Sequence, residues 1–172
     1  MRQLKQLGEF GFIRTVSQSV RRKDPAVFCG IGDDAAVLRM RPGCDVLCTT
    51  DMIIEDKHFR RNEATPFEIG WKAMAVNISD IAAMGGIPRF AVAAVGLPGD
   101  LPVRDAKKIL AGMLSCAGRF KTELVGGDTN ASPKMVLAVT ILGEAERGRA
   151  LTRAGAKLHD RIFVTGDRKS VG

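Results

Sequence analysis

Tyrosine is absent from this 172-residue chain and tryptophan occurs once. Stacking platforms for nucleic-acid bases are therefore scarce, although the formal net charge is +7. Residues 1–23 hold much of that surplus: Arg2, Lys5, Arg14, Arg21, Arg22 and Lys23 stand against Glu9. Cys29, Cys44, Cys48 and Cys116 form no CxxC pair, and only two histidines accompany them. That set argues against a zinc site and reads as small apolar residues in a reducing compartment. No apolar run approaches the roughly 20 residues that span a bilayer, and residues 1–11 lack the apolar stretch of a signal peptide. The reading is a cytoplasmic chain with no membrane and no nucleic-acid partner; a basic nucleic-acid-binding domain is the alternative of a different class. Several catalytic signatures are also missing: GxxxxGK[ST], HRD with DFG, GxSxG and a complete GxGxxG.

The composition is that of an ordinary globular protein, 45% hydrophobic and 26% charged. Phe10, Ile13, Val16 and Val20 repeat at helical spacing and predict a helix over 8–20. Residues 27–29 and 35–38 read as strands around the turn Gly30-Ile-Gly-Asp-Asp34, and Val46–Thr50 as a strand ending at Asp51. Thr65, Pro66 and Glu68 spell a capping box with proline at the first helical position. The helix they open runs to about Met84 and stops at Gly85-Gly86. Phe90–Leu97 reads as a strand, a second amphipathic helix starts near Val103, and Met135–Leu142 and Arg161–Thr165 read as strands. This order predicts an α+β fold, a mixed β-sheet with helices packed on one face.

The chemical signal is the setting of the acids. Asp33 and Asp34 follow a Gly-x-Gly turn, Asp51 ends a strand, Asp128 follows Gly126-Gly127, and Asp80 lies in a helix apolar nearly all round. An ionised carboxylate among apolar neighbours costs several kcal/mol or more unless it is paired or metal-bound. Asn77 and Asp80, three apart, share a helical face and can point at one site. Mg²⁺ is held by one or two carboxylates together with substrate phosphates, and Thr49, Thr50 and Thr129 stand beside these acids. Turn roles for Asp33, Asp34, Asp51 and Asp128, and an N–H acceptor role for Asp80, are the competing readings. His58 and Arg153 are secondary candidates, each also readable as a solvated surface residue.

Taken together, Gly30-Ile-Gly-Asp-Asp-Ala-Ala-Val37, Thr49-Thr-Asp51 with His58-Phe59, Lys72-Ala-Met-Ala-Val-Asn-Ile-Ser-Asp-Ile-Ala-Ala-Met-Gly85, Gly126-Gly-Asp-Thr129 and Gly148–Ala156 resemble thiamine-monophosphate kinases of the aminoimidazole ribonucleotide synthetase-like superfamily. The resemblance runs collinearly from about Gly8 to Gly166. It implies the N-terminal domain of that fold and ATP-dependent phosphorylation of thiamine monophosphate by direct transfer, with several Mg²⁺ ions. It further implies Asp34, Thr49, Thr50, Asp51, Asp80 and Asp128 as metal ligands, and Gly127, Asp128 and Arg153 as ATP contacts. His58 would contact thiamine phosphate, and the protein would be a homodimer. Another phosphotransferase or synthetase of the superfamily is the second reading.

The family usually has Gly-Val before its histidine, where this chain has Asp56-Lys57, and Asn130 stands where threonine is common. Family members continue into a second α/β domain. The expected division is an ATP- and Mg-binding N-terminal domain over 1–150, the start of a truncated C-terminal domain over 151–166, and a non-native tail over 167–172. Such a fragment is expected to be poorly active alone.

Overall fold

The computed structural model describes residues 3–20, 24–31 and 35–161. Asp33, Asp34, the segment 162–172 and most of the strand predicted over Arg161–Thr165 lie outside these residues. In chain order the elements are α1 (Leu4–Leu7), α2 (Glu9–Ser19), β1 (Val27–Cys29), β2 (Val37–Leu38), β3 (Cys44–Ile54), α3 (Pro66–Ala83), β4 (Ile87–Leu97), α4 (Val103–Arg119), β5 (Glu123–Ala131) and β6 (Val136–Glu146), with a 3-10 turn at Arg153–Gly155. The helix predicted over 8–20 is α2. It is preceded by a single extra turn, because Gly8 adopts φ +71° and breaks the helical path.

Four strands form a mixed sheet in the order β3-β6-β4-β5. β6 is antiparallel to β3 and β4, whereas β4 and β5 run parallel and are connected through α4. α3 and α4 lie on one face, so the predicted α+β arrangement with helices on one face is the observed one. Leu137, Val139 and Ile141 of β6 alternate into the core against Ile69, Met74 and Ile78 of α3 and Ile109 and Met113 of α4. α3 begins as its capping box requires: Glu68 N–H donates to Thr65 Oγ1 at 3.3 Å and Thr65 N–H donates to Glu68 Oε2 at 2.8 Å. The Thr65 backbone N–H and hydroxyl hold the Glu68 carboxyl below its ordinary pKa.

The two long helices cross at glycines. A Cβ on Gly112 would lie 2.0 Å from the Phe67 carbonyl oxygen, and one on Gly70 would lie 1.9 Å from that of Ile109. Backbone therefore packs on backbone at the crossing, and no side chain fits between.

The strand bounds differ from expectation where polar residues interrupt a strand without ending it. β3 does not stop at Asp51 but continues to Ile54, because Ile53 and Ile54 keep pairing with Leu137 and Val136. β5 passes straight through Gly126-Gly127-Asp128, so no turn forms there. Long-range pairing with a neighbouring strand overrides the local turn signal at both places.

The opposite face of the sheet is only partly covered. β1 and β2 form an antiparallel hairpin that closes a second small core of Val27, Phe90 and Val125. Glu144, 1% exposed, locks this segment down. It accepts from the Arg41 N–H at 2.8 Å, from the Arg41 guanidinium, and from Arg89 Nη1 at 2.7 Å; Arg89 Nη2 donates to Asp24 at 2.9 Å. Burial pushes the Glu144 carboxyl up, but the Arg41 and Arg89 bonds outweigh it and hold the pKa below the ordinary 4.5. Asp24 is lowered by the same balance, with the Ala26 N–H and Arg89 prevailing over burial.

Two outcomes follow. Gly112→Ala lowers stability by about 2 kcal/mol, read from urea unfolding, because the helices must part; an unchanged midpoint contradicts the crossing. A carboxylate depressed on folding contributes stability above its unfolded pKa and loses it as pH falls through the folded value. Glu144→Gln is thus expected to cost about 2 kcal/mol at neutral pH. That difference shrinks as pH drops below 4.5, measured as parallel urea titrations across pH 3–7.

Candidate functional site

α3 meets the free edge of β3 through two polar side chains. Asn77, fully buried, accepts the Asp51 N–H on Oδ1 at 2.8 Å and donates from Nδ2 to the Ala73 carbonyl at 3.1 Å. One helical turn on, Asp80 Oδ2 accepts from the Thr49 hydroxyl at 2.8 Å. The pair Asn77 and Asp80 does point at one place, the Thr49–Asp51 stretch. The expected roles are divided differently, however. Asp80 is exposed, and Asn77 is the buried polar group. The helix reads as apolar all round because α4, the sheet and the core cover most of its turns; the last turns reach solvent beside β3.

Thr49 and Asp51 alternate to the same side of β3 as Leu47 and Ile53. Thr50 faces the other side, where its hydroxyl donates to the Val139 carbonyl at 3.2 Å and accepts from Thr140 at 3.0 Å. A cleft bordered by Thr49, Asp80, Leu151, Thr152 and Arg153 opens at this edge. The Leu151 N–H, bonded to the Met84 carbonyl at 2.9 Å, brings the 151–153 segment to the end of α3.

Asp128 is elsewhere. Asp51 pairs with Val139, Val139 with Ala93, and Ala93 with Gly127, so Asp51 and the Gly127-Asp128 step occupy opposite edges of the sheet. Three strand spacings separate them, roughly 14 Å. Asp128 accepts from the Thr129 N–H at 2.9 Å and from Asn130 Nδ2 at 2.6 Å. Gly127 is required sterically, since a Cβ there would lie 2.1 Å from the Ala93 carbonyl oxygen. Beside it runs an apolar cleft lined by Phe12, Ile13, Val16, Leu110 and Met113, with Gly126–Thr129 at one side.

His58 lies in the turn after β3, its Nδ1 accepting from the Ile54 N–H at 3.0 Å. Asp56, where the resemblance implies glycine, adopts φ +64°. Aspartate is among the few residues that tolerate this left-handed conformation, so the turn that glycine would permit is kept. Lys72 stands in the sequence only as the first residue of a motif block, and the Arg41–Glu144–Arg89–Asp24 network carries no sequence signal. Only the Gly-to-Asp departure could have signalled the special turn.

Among the described residues, Asp51, Asp80 and Asp128 form no ion pair with Lys, Arg or His. No three His, Cys, Asp or Glu side chains converge among these residues. The β3–α3 edge offers two carboxylates and a hydroxyl, hard oxygen donors without a basic partner. That set fits a cation that completes its shell with water or phosphate.

Residues 32–145 match the family described as AIR synthase related protein, N-terminal domain. The chain belongs to this family. Among curated relatives, the thiamine-monophosphate kinase of Bacillus subtilis (strain 168) is 40% identical over 162 residues, covering 94% of this chain and 50% of the relative. The thiamine-monophosphate kinase structure from Stenotrophomonas maltophilia K279a superposes with a TM-score of 0.69 at 35% identity, covering 81% of this chain and 42% of that one. The structure of AaThiL complexed with AMPPCP and TMP gives a TM-score of 0.65 at 37% identity, covering 92% and 48%. This AIR synthase-related chain spans about half the length of the relatives it matches.

Asn77→Ala removes the acceptor of the Asp51 N–H and leaves a hole in the core. A loss of about 2–3 kcal/mol is expected from thermal or urea unfolding. A stability within 0.5 kcal/mol of the parent, the usual scatter of surface substitutions, contradicts the anchoring role.

Proposed function

We propose that this chain forms the nucleotide- and metal-binding N-terminal part of a thiamine-monophosphate kinase, which transfers the γ-phosphoryl group of ATP directly to thiamine monophosphate. The observation that carries the reading is the 2.8 Å contact between Thr49 and Asp80. It joins two family motifs, 31 residues apart, at a cleft that Arg153 also borders. The relatives named above, and the complex of one of them with AMPPCP and TMP, support the donor and the acceptor.

Thr49, Asp51 and Asp80 would hold Mg²⁺ at the β3–α3 edge, and Asp128 would hold a separate ion at the β5 edge; Asp34 is retained as a ligand on the resemblance. When bound, Mg²⁺ would neutralise phosphate charge so that two anionic reactants can approach. The chain's own residues do the placing. Arg153 offers a guanidinium that suits a phosphate fork. Gly127 is retained as a nucleotide contact on the resemblance, and the apolar cleft beside it has the lining that a purine ring needs. His58, with Nδ1 engaged, offers Nε2–H to the substrate phosphate. Val46, Met52 and Val92 are exposed on the uncovered face of the sheet, which supports a homodimer through that face. The expected setting is the cytoplasm, where ATP is available.

Calorimetry with Mg²⁺ and a non-hydrolysable ATP analogue, on this chain and on Asp80→Asn, tests the assignment. Asp80→Asn is expected to weaken Mg-nucleotide binding at least about tenfold. Equal heats for both proteins contradict a metal at Asp80.

A further inference from the structure

The turn that carries His58 is tied from three sides. The His58 N–H donates to the Ile54 carbonyl at 2.9 Å, while the Ile54 N–H donates back to His58 Nδ1 at 3.0 Å. Asp56, in its left-handed conformation, pairs with Lys134 at 3.0 Å, and its N–H donates to the Phe59 carbonyl at 2.8 Å. The third tie comes from the helix: Lys72 of α3 donates from Nζ to the His58 carbonyl oxygen at 2.6 Å. A neutral imidazole that accepts at Nδ1 carries its proton at Nε2. The imidazole is thus held in one tautomer by backbone bonds, and those bonds depend on where the His58 carbonyl sits.

We propose that Lys72 is a positioning residue for His58. By holding that carbonyl it keeps Nδ1 on the Ile54 N–H and Nε2–H free to donate to a phosphate monoester. A lysine elsewhere on the exposed side of α3 would serve only solubility. This one fixes a strained turn to a rigid helix, and a strained turn persists only where its surroundings over-determine it. The inference deepens the kinase reading and rests on it for the identity of the phosphate.

Lys72 is exposed, so its replacement leaves the core intact. The chain holds only His58 and His159, and His159→Gln leaves one imidazole to observe. Nitrogen NMR of the ring and amide exchange of Ile54 then read the turn directly. In the parent the ring is expected to show the Nε2–H tautomer and a protected Ile54 amide. Lys72→Met and Lys72→Gln are expected to average the tautomers and speed Ile54 exchange about tenfold, the loss of roughly one bond, with Lys72→Arg restoring both signatures. A pure Nε2–H tautomer with unchanged Ile54 exchange in both the Met and Gln variants overturns the proposal. Thiamine monophosphate is then added to the parent and is expected to shift the Nε2 resonance. A ring that ignores the ligand while its tautomer still depends on Lys72 overturns the kinase reading at His58 and supports the positioning role.

Discussion

At the free edge of β3, Asn77 takes up one backbone donor and anchors α3 to the strand. Its amide accepts the Asp51 N–H and donates back into its own helix, so helix and strand are joined by one buried side chain with both polar atoms bonded. A bond of this kind contributes about 1 kcal/mol when made and costs more when its partner is removed. Its value here is positional. With Asn77 fixed, Asp80 one turn later has little choice but to face Thr49, whose hydroxyl donates to it. The glycine crossing of α3 on α4 fixes the other side of the same helix. The polar edge is thus a consequence of how α3 is packed.

Much of this was legible in the sequence. The capping box at Thr65–Glu68, the stop at Gly85-Gly86 and the amphipathic α4 all depend on local chemistry, and all were found where the residues put them. What depends on distant pairing was not. Asp51 and Asp128 look like the ends of elements because aspartate and glycine punctuate chains. β6 and β4 nevertheless carry the strands past them. Asp80 looked buried because periodicity counts apolar neighbours along a helix and says nothing about which turns project beyond the sheet. The convergence of Asn77 and Asp80 on β3 followed from helical spacing. The identity of their partners, Asp51 N–H and Thr49, needed the tertiary structure.

The acids divide into two groups, and that division shapes the chemistry. Thr49, Asp51 and Asp80 share one edge, whereas Asp128 shares the other with the glycine step and the apolar cleft. Three strand spacings, roughly 14 Å, are too wide for a single ion to touch both. In the kinase reading the nucleotide base and the cation-bound phosphates have different supports, with β6 and β4 as the rigid spacer between them. The Glu144 network serves the same rigidity from the opposite face, holding the β1–β2 hairpin against Phe90 and Val125. Its two carboxylates are both held below their ordinary pKa values, so this attachment weakens as pH falls.

The central claim is that the carboxylates of β3 and α3 form one hard-cation site. Paramagnetic broadening by Mn²⁺, added in small molar fraction to the isotope-labelled chain, tests it most directly. The account predicts that the amides of Thr49–Met52 and those around Asp80 lose intensity first and together, and recover when excess Mg²⁺ is added. Broadening that spares this edge, or that touches β3 without α3, would contradict it.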